Sequence, residues 1–394
     1  TLLLKFRKKL TQLSNKKYIE FFGMCRTSFL VILEYLKNKK PHKDELIVCS
    51  YNLEEMVDIV RLYNFKVKLI DIDYETGVMN YDQIKSFASN KTAAILFTNM
   101  FNDHLKLQQL NKFCRDNDIL MIEDNAIYYG NYSVQKTNQE YSGSYGDVSI
   151  FSFGIMKNVS AIFGGALLTS DVDIYNFANK KNKEFKNFSI KLYFSKFILY
   201  FVLKFLLSKI IYNIFFFYII RISHDKKIKK LLNLIYPSLK FKQKKKIPKE
   251  YYSRIPKFSI KLIDKIINDD EFEQDRIKRK ENNKLYSELL VSNSYIKVLN
   301  IKNFNFQNFL DFPIIVKENK PNLVKYLFKK GLETRYHFYS NFEKYTDTNL
   351  NRVSEYYDKN ILCLPSHSEI DKKRIVKYCE EINQFYLNDK STNY

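Results

Sequence analysis

Glycine is scarce in this chain of 394 residues, and so is every marker of a secreted or metal-bound fold. There are nine glycines, and six of them (Gly130, Gly143, Gly146, Gly154, Gly164 and Gly165) fall between Asp124 and Gly165. Glycine serves backbone that needs positive φ or a close approach, so this clustering marks one stretch as a built site. The five cysteines, Cys25, Cys49, Cys114, Cys363 and Cys379, are odd in number and form no CxxC pair. That argues against a disulfide framework or a zinc site and for a reducing compartment. The five histidines show no metal-ligand spacing, so no metal is expected. Thr1-Leu2-Leu3-Leu4 is too short an apolar run for a signal peptide, and a first residue other than Met places the expected true start upstream.

Acidic residues are also short: 43 Asp and Glu face 65 Lys and Arg, a net charge of +22. Such a balance fits nucleic acid, an anionic membrane, or a lysine-rich composition spread along the whole chain. The tyrosines and phenylalanines form no RNA-binding motif and the cations no single arm, so nucleic acid is not the expected partner. Apolar content is high enough for a packed protein, and the length allows two domains.

Residues 20–170 alternate between strand-like and helix-like patterns. Leu46–Cys49, Val67–Ile70, Ala94–Thr98, Ile119–Ile122, Val148–Phe151 and Ala166–Thr169 are short apolar runs bounded by polar residues. Phe29–Leu36, Leu53–Leu62 and Leu105–Cys114 between them have helical periodicity. The pattern predicts an α/β fold with a mostly parallel sheet, covered on both faces. Ligands in such sheets sit beyond the carboxyl ends of the strands, where Asp124 and Ser152 fall. Residues 185–250 break the pattern. Lys191–Ile222 is almost wholly apolar, with Lys196, Lys204, Lys209 and Arg221 as the charges between its ends, and the basic run Lys242–Lys246 follows. Helical periodicity returns at Phe258–Ile267 and Arg276–Leu290, and Phe312–Val316 reads as a strand. Three parts are therefore expected: a large α/β domain (1–184), an apolar and basic helical insertion (185–250), and a smaller α+β domain (251–394).

A lysine in a site can attack a carbonyl carbon. Pyridoxal phosphate uses such a lysine, needs an acid beside its ring nitrogen, and needs hydroxyl and N–H donors for its phosphate. Lys157, Asp124, Ser152 and the helix start Arg26-Thr27-Ser28 are the residues of those types.

The wording is more specific than the residue types. Ile122-Glu-Asp-Asn-Ala126, then Gly146-Asp-Val-Ser-Ile-Phe-Ser-Phe-Gly-Ile-Met-Lys157, then Gly164-Gly-Ala-Leu-Leu-Thr169 resembles the DegT/DnrJ/EryC1/StrS family of pyridoxal-phosphate sugar aminotransferases. Cys25-Arg-Thr27, Ile70-Asp-Ile-Asp73 with Glu75-Thr-Gly77, Gly331-Leu-Glu-Thr-Arg335 and Leu364-Pro365 add matches. The resemblance implies fold type I, with a seven-stranded, mostly parallel sheet in the large domain and a homodimer with its sites at the interface. It implies pyridoxal 5'-phosphate as cofactor, Lys157 as the catalytic residue that carries the cofactor and moves the proton, and Asp124 at the ring nitrogen. Ser152, Thr27 and Arg26 would lie at the phosphate. Tyr51 could stack on the ring, because Ser50-Tyr-Asn-Leu53 replaces the family's Ser-x-Thr-Phe. Arg335 and His337 lie where the family meets substrate phosphates or carboxylates. The implied reaction moves an amino group, from glutamate, to a keto-sugar on a nucleotide or lipid, in surface polysaccharide or glycolipid synthesis.

Departures at Ile127 and Leu53 leave a second possibility, a non-catalytic or regulatory member that acts as a membrane-associated partner. Ile127 stands where the family has Gln or His, Ile162 and Phe163 replace Gly and Glu, and Leu53 replaces the aromatic. A dehydratase on this fold is disfavoured by Lys157, since such enzymes typically carry histidine there. For the insertion, a helix or re-entrant pair lying in the interface of an anionic membrane is weighed against a helix buried on protein. The chain is accordingly expected in the cytoplasm, peripheral on the inner face of the cytoplasmic membrane.

Overall fold

The structure is a computed structural model that describes residues 7–391 apart from 9, 12–13, 102–105, 128–131, 136–137, 227, 229, 231–242, 300–309, 336, 338 and 343–351. Of the residues named above, Thr1 to Leu4, Leu105, Gly130 and Lys242 lie outside them.

Seven strands form the central sheet: β1 (Tyr18–Phe22), β2 (Glu45–Cys49), β3 (Lys66–Ile70), β4 (Thr92–Thr98), β5 (Leu120–Asp124), β6 (Val148–Ser152) and β7 (Gly165–Thr169). Their order across the sheet is β1-β7-β6-β5-β4-β2-β3. β3, β2, β4, β5 and β6 run parallel, while β7 is antiparallel to both β6 and β1. Two-residue strands at Lys186–Asn187 and Ser253–Arg254 extend the β1 edge, so the whole sheet has nine strands. The expected seven-stranded sheet is the part from β1 to β3, with both added strands beyond β1.

Alternation along the strands builds two apolar layers. Leu46 and Val48 of β2 face one layer, with α1 (Cys25–Lys39) and α2 (Glu54–Leu62). Ile47 and Cys49 face the other, with α3 (Tyr81–Phe87) and α4 (Leu107–Asp116). The period of two in a strand makes this division obligatory. β4 is buried along its full length, which is why it reads as an uninterrupted apolar run. α5 (Val172–Glu184) packs back on β1, its N-terminus capped by the Asp171 carboxylate, which accepts from the N–H groups of Asp173 and Ile174.

β1 was not legible in the sequence, because Glu20 interrupts its apolar run. In the fold that buried carboxylate accepts from the side-chain amides of Asn179 (3.0 Å) and Asn182 (2.6 Å) on α5. A buried carboxylate satisfied in this way does not disqualify a strand.

The insertion leaves and re-enters at the same place, since Lys186–Asn187 and Ser253–Arg254 pair with each other. Between them run α6 (Ile190–Leu206), a short helix (Lys209–Ile211), a π-helical turn (Tyr212–Phe216) and α7 (Phe217–Asp225). α8 (Lys257–Ile267) then returns to the large sheet, where Ile263 and Ile267 join Ile19, Phe21, Phe151 and Leu168. The large unit thus reclaims chain beyond residue 251. The second unit contains α9 (Asp270–Leu289) and an antiparallel sheet of β8 (Ile296–Val298), β9 (Asp311–Val316) and β10 (Ile361–Pro365). α10 (Lys320–Lys329), α11 (Arg352–Asn360) and α12 (Lys372–Ser391) complete it.

Candidate active site

The ends of β5, β6 and β7 and the start of α1 converge on one spot. β5 ends at Asp124 and β6 at Ser152, and the latter pairs with Gly165 at the start of β7. Met24, which precedes α1, bridges Gly164. The approach is so close that a Cβ on Gly165 would lie 2.3 Å from the Met24 carbonyl group. Only glycine lets the helix start sit on the strand here. α1 has no side-chain cap and no acidic residue in its first turn, so no carboxylate of its own offsets the positive end of its dipole.

The loop from Phe153 to Gly164 carries Lys157 and is conformationally forced. Met156 (φ 66°) and Ile162 (φ 68°) occupy the left-handed region, as does Gly164 in its own way (φ 144°). A β-branched residue at positive φ is an outlier that surrounding structure must impose. Ala161 secures the loop through its N–H to the Phe153 carbonyl (2.8 Å) and its carbonyl from the Ser259 hydroxyl (3.0 Å).

Burial governs the charges. It pushes the Asp124 carboxyl up to about 6, against the Ala126 N–H donated to it (3.0 Å) and the pull of Lys157. Burial also pushes the Lys157 amine down, with Asp124 and Cys25 acting against it. The Cys25 thiol, at the first residue of α1, is pushed well up by burial and by Asp124. The amine and the acid are therefore close enough to share influence, and each is drawn toward its neutral form. A lysine so placed is available as a nucleophile and a proton carrier.

Glu123 plays a part that the sequence did not disclose. Fully buried, it accepts from the backbone N–H groups of Gly143 (2.7 Å), Tyr145 (3.1 Å) and Gly146 (2.9 Å) and from the Asn99 amide (2.9 Å). It fixes the glycine-bearing loop beneath Asp124. The half-buried Lys16 closes that loop from outside, donating to the carbonyls of Ser144 (3.1 Å) and Gly146.

At the helix start, Arg26 donates to the Tyr251 hydroxyl (2.8 Å) and Glu55 (3.3 Å), and Thr27 donates to the Tyr251 carbonyl (2.5 Å). Tyr251, which follows the insertion, was absent from the sequence reading. Tyr51 is buried, shares a 2.8 Å hydrogen bond with His337 Nδ1 and stacks on its ring at 5.4 Å. Tyr339 packs against both rings, and burial together with Asp124 and Cys25 pushes its hydroxyl well up. An aromatic wall from both units thus borders the cluster. Burial holds His337 at about 3, so its imidazole is neutral.

Arg335 stands elsewhere. Its guanidinium donates to Asp311 (3.1 Å) and Glu333 (3.0 Å), and its backbone bridges Cys363. Glu333 also accepts the Tyr212 hydroxyl of the insertion. The structure accordingly brings Asp124, Ser152, Lys157, Arg26 and Thr27 to one place. It sets Tyr51 and His337 in the adjoining wall and gives Arg335 to a network that holds the insertion.

The departures also acquire surroundings. Ile127 is buried in the core with Met121 and Tyr145. Phe163 packs on Phe188 with ring centroids 4.2 Å apart and reaches Tyr193 of α6, so its aromatic ring receives the insertion.

Pyridoxal phosphate fits this donor set: a buried acid for a ring nitrogen, a neutral-leaning lysine for an aldehyde, and a hydroxyl beside an uncapped helix start for a phosphate.

The DegT/DnrJ/EryC1/StrS aminotransferase family model matches residues 3–198 and 270–383, flanking the insertion. Over 174 residues the chain is 26% identical to GDP-4-keto-6-deoxy-D-mannose 3-dehydratase of Yersinia pseudotuberculosis, covering 41% of this chain and 43% of that protein. The chain spans less than half the length of the curated relatives it matches. Among solved structures it resembles Helicobacter pylori PseC, an aminotransferase involved in the biosynthesis of pseudoaminic acid. The TM-score is 0.70 at 14% identity, covering 98% of this chain and 91% of that one. It also resembles a GDP-4-keto-6-deoxymannose-3-dehydratase with a trapped PLP-glutamate geminal diamine, at a TM-score of 0.69 and 20% identity over 97% of this chain and 92% of that one.

Proposed function

The chain belongs to the DegT/DnrJ/EryC1/StrS aminotransferase family, and from that premise we propose that it transfers an amino group from glutamate to a keto-sugar, using pyridoxal phosphate. The observation that carries this reading is the half-buried Lys157 set within electrostatic reach of the buried Asp124, at the strand ends beside the start of α1. When bound, the cofactor supplies an aldehyde carbon and an electron-withdrawing ring. Asp124 would hold a proton at the ring nitrogen, because its carboxylate is stabilised once a cation sits beside it. Ser152 Oγ and the first N–H groups of α1 would hold the phosphate, with Arg26 close by. Lys157 Nζ would hold the cofactor through its aldehyde and, when free, would take a proton from, or return one to, the carbon of the bound substrate. Buried walls at Cys25 and Tyr339 keep water from the reacting atoms.

A keto-sugar attached to a nucleotide or lipid carrier is the proposed acceptor, and a surface polysaccharide or glycolipid the end use. The dehydratase and aminotransferase relatives support a sugar substrate, and lysine at position 157 favours amine transfer over dehydration. The reading includes a homodimer in the cytoplasm, which light scattering of the purified protein would check. The decisive test is to purify the protein with pyridoxal phosphate, record its visible absorbance and repeat with Lys157→Ala. A lysine-dependent band, lost in the variant along with amine transfer from glutamate, is expected. Identical spectra for the two proteins would remove the enzymatic reading.

A further inference from the structure

The insertion is the most unusual surface of this molecule. From Phe185 to His224 it contains no Asp or Glu and six cations: Lys186, Lys191, Lys196, Lys204, Lys209 and Arg221. α6 buries none of its residues, although it is mostly Phe, Leu, Ile and Tyr. Ile190 is 85% exposed, Phe205 62%, Ile210 70% and Ile214 71%. Contiguous apolar surface of this kind marks an interaction site.

The exposure does not come from a segment adrift. Phe216, Phe217 and Ile220 are buried against Phe328 of α10. Tyr212 donates to Glu333, and Tyr193 and Phe197 pack edge-on to Phe258 of α8. The insertion therefore has an inner face seated on both units and a separate outer face. The two arms, Ile190–Leu206 and Lys209–Asp225, are bent by 66° at Leu207–Ser208. No single helix among the described residues is long and apolar enough to cross a membrane.

We propose that this outer face is a monotopic anchor that seats in the interface of an anionic lipid bilayer. The charge pattern selects that occupant. A second copy docking through a two-fold axis would set the patch against itself, bringing its lysines against lysines, since Asp225 at its end already pairs with Arg221 (3.9 Å). Anionic headgroups answer them directly, and lysine stems reach back to the headgroups while the rings enter the acyl boundary. α6, about 25 Å long at 1.5 Å per residue, lies in the membrane plane. The exposed Lys245 and Lys246 of the following basic run add to the same sign of charge, whereas Lys244 faces Glu55. Because Phe163 of the Lys157 loop packs on Phe188, the anchor would hold the catalytic cluster beside the bilayer. The anchor stands independently of the amine-transfer reading.

The test is flotation of the full chain, loaded with pyridoxal phosphate, on phosphatidylglycerol-containing and on pure phosphatidylcholine vesicles. Flotation with the anionic vesicles, weakened by salt, is expected. Phe205→Glu with Ile214→Glu should reduce it at least tenfold, and Lys204→Gln and Lys209→Gln about fivefold each. None of these side chains is buried, so far-ultraviolet circular dichroism and the visible band should match wild type. Protein that stays unbound to either vesicle overturns the proposal. So does a change in solution mass of the Phe205→Glu, Ile214→Glu variant without loss of vesicle binding, which would assign the patch to another copy of the chain.

Discussion

Replacing Asp124 by asparagine separates what this carboxyl does to the fold from what it does for a cofactor. In the apoprotein its pKa is about 6, against the usual 3.8, because burial disfavours the charge. A raised acid contributes stability below its unfolded pKa and loses it as pH climbs through the folded one. Below 3.8 both states are protonated. Between 3.8 and 6 the unfolded chain releases the proton while the folded chain keeps it. Above 6 the folded state holds a buried charge, and the full loss is about 3 kcal/mol at about 1.36 kcal/mol per pH unit. The Asp124→Asn variant has no such titration, and its side-chain oxygen can still accept the Ala126 N–H. Urea unfolding of the two apoproteins should show the variant gaining about 2 kcal/mol relative to wild type between about pH 4.5 and about pH 8. Pyridoxal phosphate affinity should move the other way, falling in the variant because the ring nitrogen loses its counter-charge. Parallel stability curves for both proteins across that range would refute the assignment of a buried, strained acid at the strand end.

Other substitutions test the frame around it. Gly165→Ala places a methyl 2.3 Å from the Met24 carbonyl group; a loss of about 3 kcal/mol in urea unfolding is expected, and unchanged stability would mean that α1 does not rest on β7. Glu123→Ala strands the N–H groups of Gly143, Tyr145 and Gly146. It should lower stability by at least about 3 kcal/mol and slow cofactor uptake, read from the growth of the visible band. Tyr212→Phe removes the hydroxyl that Glu333 accepts, and with it about 1.5–3 kcal/mol of local stability. Limited proteolysis between Leu207 and Phe216 should then quicken at least about tenfold while the visible band stays.

Much of the large unit was readable because its strands are buried on both faces. Runs such as Ala94–Thr98 and Val148–Phe151 can be little else when bounded by polar residues and separated by helix-length periodicity. β1 escaped because Glu20 breaks its run, and only α5 explains that residue. Tyr251 and Tyr339 escaped for a related reason. Each reaches the cluster across more than two hundred residues of sequence, from Arg26 in one case and Asp124 in the other. Arg335 was legible as a charged residue in a family motif, yet its partners Asp311 and Glu333 are matters of packing.

The sequence by itself determined the alternating α/β order, the clustering of glycine between Asp124 and Gly165, and a family-specific spacing of Asp124, Ser152 and Lys157. These are local properties, set by side-chain period and backbone freedom. The tertiary structure alone decided that a half-buried Lys157 comes within electrostatic reach of the buried Asp124 and that Tyr51 faces His337. It also decided that Phe163 serves the insertion and that the insertion keeps one face uncovered. Burial and pairing depend on which distant elements arrive at the same place, and no period in the chain encodes that arrival.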